Sequence, residues 1–211
     1  MKLLWLLLFC FISIAQETDL DEHRTKNTYI GTLAKIKEKK FIRFLTSRSS
    51  FNYYIKGQKD PNTGRILKGG EVGGIDHAIA EKFTEDLNAK LGLKHGDLMI
   101  RFELIPVDKD QIIPMINGGF ADIALANLTV TESRAKKIQF TNHFLKTKEI
   151  VLRHRDAPAL SSVQDLDGKT IAVRKSSSHF ESLQKVALEN GIHFTVVFLK
   201  EVFETEHNLK F

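Results

Sequence analysis

The sequence predicts an α/β protein whose parallel sheets form two lobes. Short apolar segments alternate with amphipathic segments from Phe41 to Asn127, and the same alternation begins again after Phe144. Repeated strand, helix and strand is typical of a parallel sheet with helices packed on its faces. We place the change of lobe near Thr147, so that lobe 1 covers residues 41–146 and a partial lobe 2 covers residues 147–211.

Lobe 1 contains three predicted strands. FIRFL (Phe41–Leu45) is short and apolar, and MIRFELIP (Met99–Pro106) alternates apolar with charged side chains. ADIALAN (Ala121–Asn127) is nearly continuous in apolar residues, which is typical of a strand that is covered on both faces.

Two helices are predicted between these strands. In Asp76–Leu91 apolar residues recur every four positions, the spacing of one helix face. Asp76 is placed as its N-cap and Gly92 as its C-cap. A shorter helix is predicted near Gln111–Asn117, where two glycines end it.

Lobe 2 repeats the pattern. The predicted strands are Glu149–His154, Thr170–Arg174 and His193–Leu199, with an amphipathic helix, His179–Glu189, between the last two. A turn-rich connector with a short helical piece, Asp156–Lys169, separates the first strand from the second.

The first fifteen residues predict a signal peptide. Lys2 precedes an apolar run, and the small residues Ser13 and Ala15 fit a cleavage site before Gln16. The run is shorter than the ~20 residues that span a bilayer, which favours a cleaved leader over a membrane anchor. The protein is therefore expected to be exported to the periplasm. Residues 16–40 are a polar lead-in with at most a short helix.

Composition argues against several classes of function. The formal net charge is +5, and acidic residues interleave with the basic ones instead of leaving a basic stripe, which argues against nucleic-acid binding. Cys10 is the only cysteine and lies in the predicted leader. The histidines lack metal-ligand spacing, and no phosphate-binding glycine loop or nucleophile elbow occurs. No metal, cofactor or catalytic residue is predicted.

Three stretches carry a resemblance to a known family: GGIDHAIAEKFTEDL, IIPMINGGFADIALANLTVTESRAKKIQFTNHF and VQDLDGKTIAVRKSSSHFESL. Through them the chain resembles the type II periplasmic solute-binding proteins of family 3, the amino-acid-binding type. Two segments are most similar in sequence to the solute-binding-like domain of membrane-bound lytic murein transglycosylase F: TSRSSFNYYI and VRKSSSHFESL. The resemblance implies a two-lobed, type II periplasmic-binding-protein-like fold that captures small polar ligands between its lobes.

Arg134 is the main candidate for ligand binding. It follows the carboxyl end of a predicted strand, at the edge where parallel sheets receive ligands, and its guanidinium matches a carboxylate in a bidentate pair. We expect it to bind the α-carboxylate of the ligand. The alternative is that Arg134 pairs with Glu132 or caps a turn.

The resemblance implies further ligand contacts in lobe 1. Thr129 and the backbone around Asn127 correspond to positions that hydrogen-bond the same ligand in this family. Phe51, with Tyr53 or Tyr54, corresponds to an aromatic wall against the ligand, although these aromatic residues are equally compatible with a place in the core.

A run of serines precedes the last predicted helix. Ser176, Ser177 and Ser178 lie between a strand and that helix, and the free N–H groups of a helix N-terminus attract carboxylates. The serines are expected either to grip the ligand's carboxylate or only to cap the helix. Asp122 is expected to hold local backbone structure.

One sequence feature raises the question of catalysis. Glu181 and Ser182 form a Glu-Ser pair of the kind that marks the general acid of lytic transglycosylases, but the glycine-rich and aromatic residues that should follow it are absent. We interpret the pair as surface chemistry, and the protein is not expected to be an enzyme.

The sequence therefore predicts an exported, non-catalytic solute-binding protein for a small zwitterion, an amino acid or a short peptide. Two alternatives stay open: a muropeptide-sensing regulatory domain related to lytic transglycosylase F, and a truncated remnant that binds no ligand. The hypothesis of a truncated remnant rests on the resemblance. It implies that relatives continue beyond the equivalent of Leu199 with elements that complete lobe 2 and supply an acidic residue for the ligand's ammonium group. The implied protein partners are an ABC transporter permease or a murein hydrolase.

Overall fold

The structure is a computed structural model that describes residues 31–49, 51–56, 71–94, 98–143 and 145–201. The predicted leader and its cleavage site lie outside these ranges. None of the helices within them is long and apolar enough to cross a membrane.

The elements follow the predicted order, except that a hairpin is added in lobe 1 and the first predicted strand of lobe 2 is absent from the described residues. In chain order they are α1 (Leu33–Lys39), β1 (Phe41–Thr46), β2 (Tyr54–Lys56), β3 (Glu71–Gly73), α2 (Ile75–Lys90), β4 (Arg101–Pro106), α3 (Ile112–Asn117), β5 (Ile123–Leu125), α4 (Glu132–Ala135), β6 (Thr170–Arg174), α5 (Ser178–Asn190) and β7 (Thr195–Leu199). A short 3₁₀ helix, Val163–Leu166, lies in the connector before β6.

Lobe 1 is built on a three-stranded parallel sheet in the order β4-β1-β5. The central strand β1 is buried along almost its whole length, and its Phe44 aligns with Leu104 on one side and Ile123 on the other. Phe44 is fully buried, and burying such a side chain stabilises a fold by about 1.5–3 kcal/mol. The parallel sheet predicted from the apolar segments is confirmed.

Both faces of this sheet are covered. On one face, α2 packs Ala80 against the sheet, and the ring of Phe83 meets that of Phe44 edge to face at 5.8 Å between centroids. On the other face, α3 contributes Ile112 to a second apolar cluster with Leu45. This cover on both faces explains why the strands are rich in apolar residues.

The predicted caps of α2 are wrong. Its N-cap is Gly74, which has φ of 113°, and its C-cap is Leu91. The backbone N–H groups of Ile75 and Asp76 donate to the carbonyls of Phe51 and Asn52, so no side-chain cap is needed. Asp76 instead lies buried in the first helical turn.

Lobe 2 is thinner in the described part of the chain. Strands β6 and β7 form a parallel pair, and α5 packs on them through Phe180, whose ring lies 5.1 Å from that of Phe198. The predicted strand Glu149–His154 is wrong, because these residues have no regular structure and pair with no strand within the described ranges. Ile150 is 76% exposed as a result.

Candidate functional site

A cleft of about 420 Å³ lies where the two lobes meet. Lobe 1 contributes the loop before α3, part of α3 and the segment from the end of β5 through α4. Lobe 2 contributes the loop between β6 and α5 and the first turn of α5. The cleft is therefore placed at the carboxyl ends of parallel strands, the position at which α/β folds bind small molecules.

Local geometry at the end of β5 turns the chain into the cleft. Asn127 has φ of 52°, a left-handed conformation that asparagine tolerates better than most side chains. Thr131 then caps the single turn of α4 by accepting from the backbone N–H of Arg134 at 3.3 Å. Asn127, Thr129 and Arg134 all line the cleft, as the sequence places them together.

The side chain of Arg134 spans both lobes. Within lobe 1, Nη1 donates to the carbonyl of Thr129 at 3.3 Å. Across the cleft, Nη2 donates to the carbonyl of Ser176 at 2.8 Å and Nε donates to Oε1 of Glu181 at 3.1 Å. Arg134 is buried, so this arginine is held at the junction of the lobes by partners on both sides.

The carboxylate partner of Arg134 is not the one that sequence proximity suggests. Glu132 pairs with Lys136 at 2.7 Å on the exposed side of α4. Glu181, 47 positions from Arg134, provides the ion pair instead. The interpretation of Glu181 as surface chemistry is therefore wrong, because its carboxylate is engaged by lobe 1.

Glu181 is bound through both carboxylate oxygens. Oε2 accepts from Oγ of Ser133 at 2.6 Å while Oε1 accepts from Arg134. Burial by itself favours the neutral acid, but hydrogen bonds from Ser133 and Thr131 and the charge of Arg134 outweigh it and hold the pKa of Glu181 below its ordinary value of 4.5. Glu181 is thus an ionised group on the cleft wall at neutral pH.

The serine run lies on the cleft wall of lobe 2. Oγ of Ser177 accepts from the backbone N–H of Phe180 at 3.3 Å and caps α5. Ser178 is the buried first residue of that helix. Ser176 donates to the carboxylate of Glu201 through its backbone N–H at 3.0 Å and through Oγ at 2.6 Å. The loop before α5 is therefore able to bind a carboxylate, and one from the chain itself is bound there.

Basic side chains outnumber acidic ones on the cleft wall. Beside the Arg134–Glu181 pair, one further acidic residue and several basic residues line it: Asp110, Lys109, Lys137, Arg174 and Lys175. This balance favours a ligand with at least one anionic group.

Two predicted groups lie elsewhere. Phe51 is 67% exposed and does not line this cleft, and its place as an aromatic wall against the ligand stays a prediction. Tyr53 is buried. Asp122 holds the backbone N–H and the guanidinium of Arg43, which agrees with the structural role expected of it.

The roles of Glu181 and Glu201 were not predicted from the sequence. Both are remote in sequence from the groups they bind on the cleft. A signal for Glu181 was present, because it stands in the first turn of the helix that follows the serine run. That turn faces the mouth of a parallel sheet in this fold.

The chain matches one protein family and is similar to proteins with a solute-binding region. Residues 55–191 match the profile of the bacterial extracellular solute-binding proteins, family 3. The chain is 28% identical over 173 residues to the glutamine-binding protein of Geobacillus stearothermophilus, covering 82% of this chain and 60% of that protein. It is 26% identical over 160 residues to the membrane-bound lytic murein transglycosylase F of Pseudomonas fluorescens, covering 75% of this chain and 28% of that protein.

Solved structures share the fold. An amino acid ABC transporter substrate-binding protein of Streptococcus pneumoniae, bound to L-arginine, aligns with a TM-score of 0.60 and 19% identity over 84% of this chain and 65% of its own. The substrate-binding protein of another amino acid ABC transporter aligns with a TM-score of 0.53 and 25% identity over 77% of this chain and 62% of its own. Because that profile covers more than half of the chain, the chain belongs to the bacterial extracellular solute-binding proteins, family 3.

Proposed function

We propose that this protein captures a small zwitterionic ligand, an amino acid or a short peptide, between its lobes outside the cytoplasm and without catalysing a reaction. The observation that carries the proposal is the buried guanidinium of Arg134, which reaches from lobe 1 to two groups of lobe 2 across the cleft. A ligand that binds the same guanidinium would contact both lobes at once. The glutamine-binding relative supports an amino acid as the ligand.

The size of the cleft supports a small ligand. Its volume of about 420 Å³ lies in the lower part of the ~300–1,000 Å³ that small-molecule sites usually occupy. In the proposed complex, Arg134 binds the α-carboxylate, and Thr129 with the backbone of Asn127 adds neutral hydrogen bonds. The N-terminal turn of α5, with Ser176 to Ser178, approaches the carboxylate from the other lobe.

A thermal-shift screen tests this function. The twenty amino acids and a set of dipeptides are each compared with the matching amine that lacks the carboxylate. A ligand at a hundred times its Kd adds ~2.7 kcal/mol to the free energy of unfolding, so a true ligand raises Tm and its decarboxylated analogue does not. If no amino acid or dipeptide raises Tm, or if the amines raise it equally, the proposal fails.

A second candidate is a regulatory domain that senses muropeptides and acts on a murein hydrolase. The match to transglycosylase F over 75% of this chain favours it, and the free carboxylate of a muropeptide would also suit Arg134. Adding N-acetylmuramyl-L-alanyl-D-isoglutamine to the same screen separates the two. A shift with the muropeptide alone supports the sensor and a hydrolase partner, whereas a shift with a free amino acid supports solute capture and a transporter permease as partner.

A further inference from the structure

The carboxylate of Glu181 binds the guanidinium of Arg134, the group that is proposed to bind the ligand's carboxylate. Its Oε1 lies 3.1 Å from Nε of Arg134, and its Oε2 lies 2.6 Å from Oγ of Ser133. Both oxygens are thus bound by lobe 1, although Glu181 itself belongs to α5 of lobe 2. In the structure, the carboxylate of Glu181 therefore binds the same guanidinium that the proposed ligand carboxylate would bind.

A ligand carboxylate cannot form a bidentate pair with the Nε edge of Arg134 while Glu181 remains there. The fork that matches a carboxylate uses two guanidinium N–H groups side by side. Nε donates to Glu181, and Nη1 and Nη2 donate to the carbonyls of Thr129 and Ser176. An entering carboxylate therefore has to displace Glu181 to gain the Nε side of the fork.

When the ligand's carboxylate displaces Glu181 from Arg134, the carboxylate of Glu181 loses its cationic partner. Its carboxylate is 35% exposed at the side chain and stays beside the hydroxyl groups of Ser133 and Thr131, which favour its ionised form. An ionised carboxylate at the junction of the lobes favours a cationic partner over a neutral or anionic one. A ligand that brings its own positive group supplies that partner.

We propose that Glu181 is a ligand-site residue that holds Arg134 until a ligand binds and then transfers to the ammonium group of the entering zwitterion. This inference rests on the proposed function, because it assumes a ligand with a carboxylate. The exchange conserves charge: the ligand's carboxylate replaces Glu181 on Arg134, and its ammonium replaces Arg134 on Glu181. It selects zwitterions over simple carboxylates, since an acid without an ammonium group leaves Glu181 unpaired.

The claim that Glu181 holds Arg134 before a ligand binds is tested by measuring the distance between the lobes without ligand. Cys10 is the only native cysteine, so in a Cys10→Ser background spin labels are attached through Lys90→Cys on α2 and Leu188→Cys on α5. Pulsed electron paramagnetic resonance then compares the wild-type sequence with Glu181→Gln and with Glu189→Gln. Glu189 is the matched control because it lies on the same helix and pairs only within it in the described contacts, with Lys185.

Glu181→Gln is expected to broaden the distribution toward longer interlobe distances, and Glu189→Gln is expected to leave it as in the parent protein. Identical distributions for the parent and Glu181→Gln overturn the claim that Glu181 holds Arg134 before a ligand binds. This measurement needs no ligand, so its outcome is independent of the proposed function.

The ligand half is tested by calorimetry with L-glutamine, L-arginine and their N-acetyl derivatives, which keep the carboxylate and lose the ammonium. Glu181→Gln is expected to bind the N-acetyl forms about ten- to a hundredfold more tightly than the wild type does, because the internal competitor is weakened. The free amino acids change by less than about threefold, since the loss of the competitor and the loss of the ammonium partner offset each other.

An equal gain for free and N-acetylated forms, or no change in either, overturns the exchange while amino-acid capture stands. The absence of binding by all four compounds to both the wild type and Glu181→Gln overturns the exchange together with amino-acid capture. Glu189→Gln is expected to bind all four as the wild type does.

Discussion

Arg43 and Asp122 form a buried, two-pronged ion pair at the centre of lobe 1. Nη2 of Arg43 lies 3.0 Å from Oδ1 of Asp122, and Nε lies 3.2 Å from Oδ2. The side chains are only 4% and 2% exposed, and Nη1 of Arg43 also donates to the carbonyl of Gly119 at 3.0 Å. The pair fixes the chain just before β5, and β5 leads directly into the cleft.

Asp122→Ala is therefore expected to destabilise the protein by ~3–5 kcal/mol, because it leaves the buried charge of Arg43 without its partner. Urea unfolding measures this change. Asp86→Ala serves as the control: Asp86 is exposed and pairs with Lys82 on the surface of α2, so the change is expected to stay within about 0.5 kcal/mol. Similar small losses for both variants would show that the buried pair contributes little.

Asp76 predicts a specific pH dependence. Burial raises the pKa of this carboxyl above its ordinary value of 3.8, against the opposing effects of the hydrogen bond from Thr46 and the charge of Lys109. Because the folded pKa is the higher one, ionisation disfavours the folded state. That cost is absent below pH 3.8 and appears as the pH rises through the folded pKa.

Asp76→Asn removes the ionisation and keeps an oxygen that accepts from Oγ1 of Thr46, which lies 2.6 Å from the carboxylate. The variant is expected to be more stable than the wild type at pH 7 and equally stable near pH 3. Urea midpoints measured between these values test this, with the exposed Asp86→Asn as control. If the free energy of unfolding of the wild type instead rises relative to that of Asp76→Asn as the pH increases, ionised Asp76 stabilises the fold and this prediction is wrong.

Much of lobe 1 is predictable from local pattern. β1 and β4 lie close to their predicted bounds because a central strand and its neighbour have to be apolar where helices cover them. The β2–β3 hairpin was missed because each of its strands has only three residues, too short to show alternation. The segment Glu149–His154 was predicted as a strand and forms none. Its apolar pattern suits a strand, but a strand is stable only when it pairs with a neighbour.

The site was predictable only in part. Strand order and helix starts place Arg134 and the serine run at one edge, because parallel strands end on the same side. The Arg134–Glu181 pair was not foreseen, because it depends on how the two lobes meet and joins residues 47 positions apart. The exposed position of Phe51 was not foreseen for a related reason, because its turn is held by the start of α2.

The two lobes are expected to differ in local stability. Both apolar core clusters among the described residues lie in lobe 1, whereas β7 of lobe 2 leaves Val197 and Phe198 about half exposed. Hydrogen exchange is expected to be faster in β6 and β7 than in β1 and β4, since opening the thinner sheet exposes less apolar surface. Equal, strong protection of both strand pairs would contradict this difference.

Thr129 tests the neutral part of the proposed ligand contacts. Thr129→Val keeps the shape of the side chain and the backbone carbonyl that accepts from Arg134. It is expected to weaken ligand binding by ~0.5–1.5 kcal/mol, the usual contribution of a neutral hydrogen bond. Calorimetry with the ligand found in the screen measures the loss. Thr141→Val is the control, because Thr141 is exposed and does not line the cleft, and unchanged binding by Thr129→Val would remove this hydroxyl from the site.

The role of Arg134 as the anchor for the ligand's carboxylate is tested most directly by calorimetry on Arg134→Ala, with that same ligand. Binding is expected to weaken by ~2–5 kcal/mol, the usual cost of removing one partner of a buried charge pair, or about thirtyfold to several-thousandfold. Arg134→Lys is expected to recover only part of the loss because an ammonium lacks the two-pronged geometry, and the exposed Arg101→Ala is expected to bind as the wild type does. If a folded Arg134→Ala protein binds the ligand as tightly as the wild type, Arg134 does not bind the ligand.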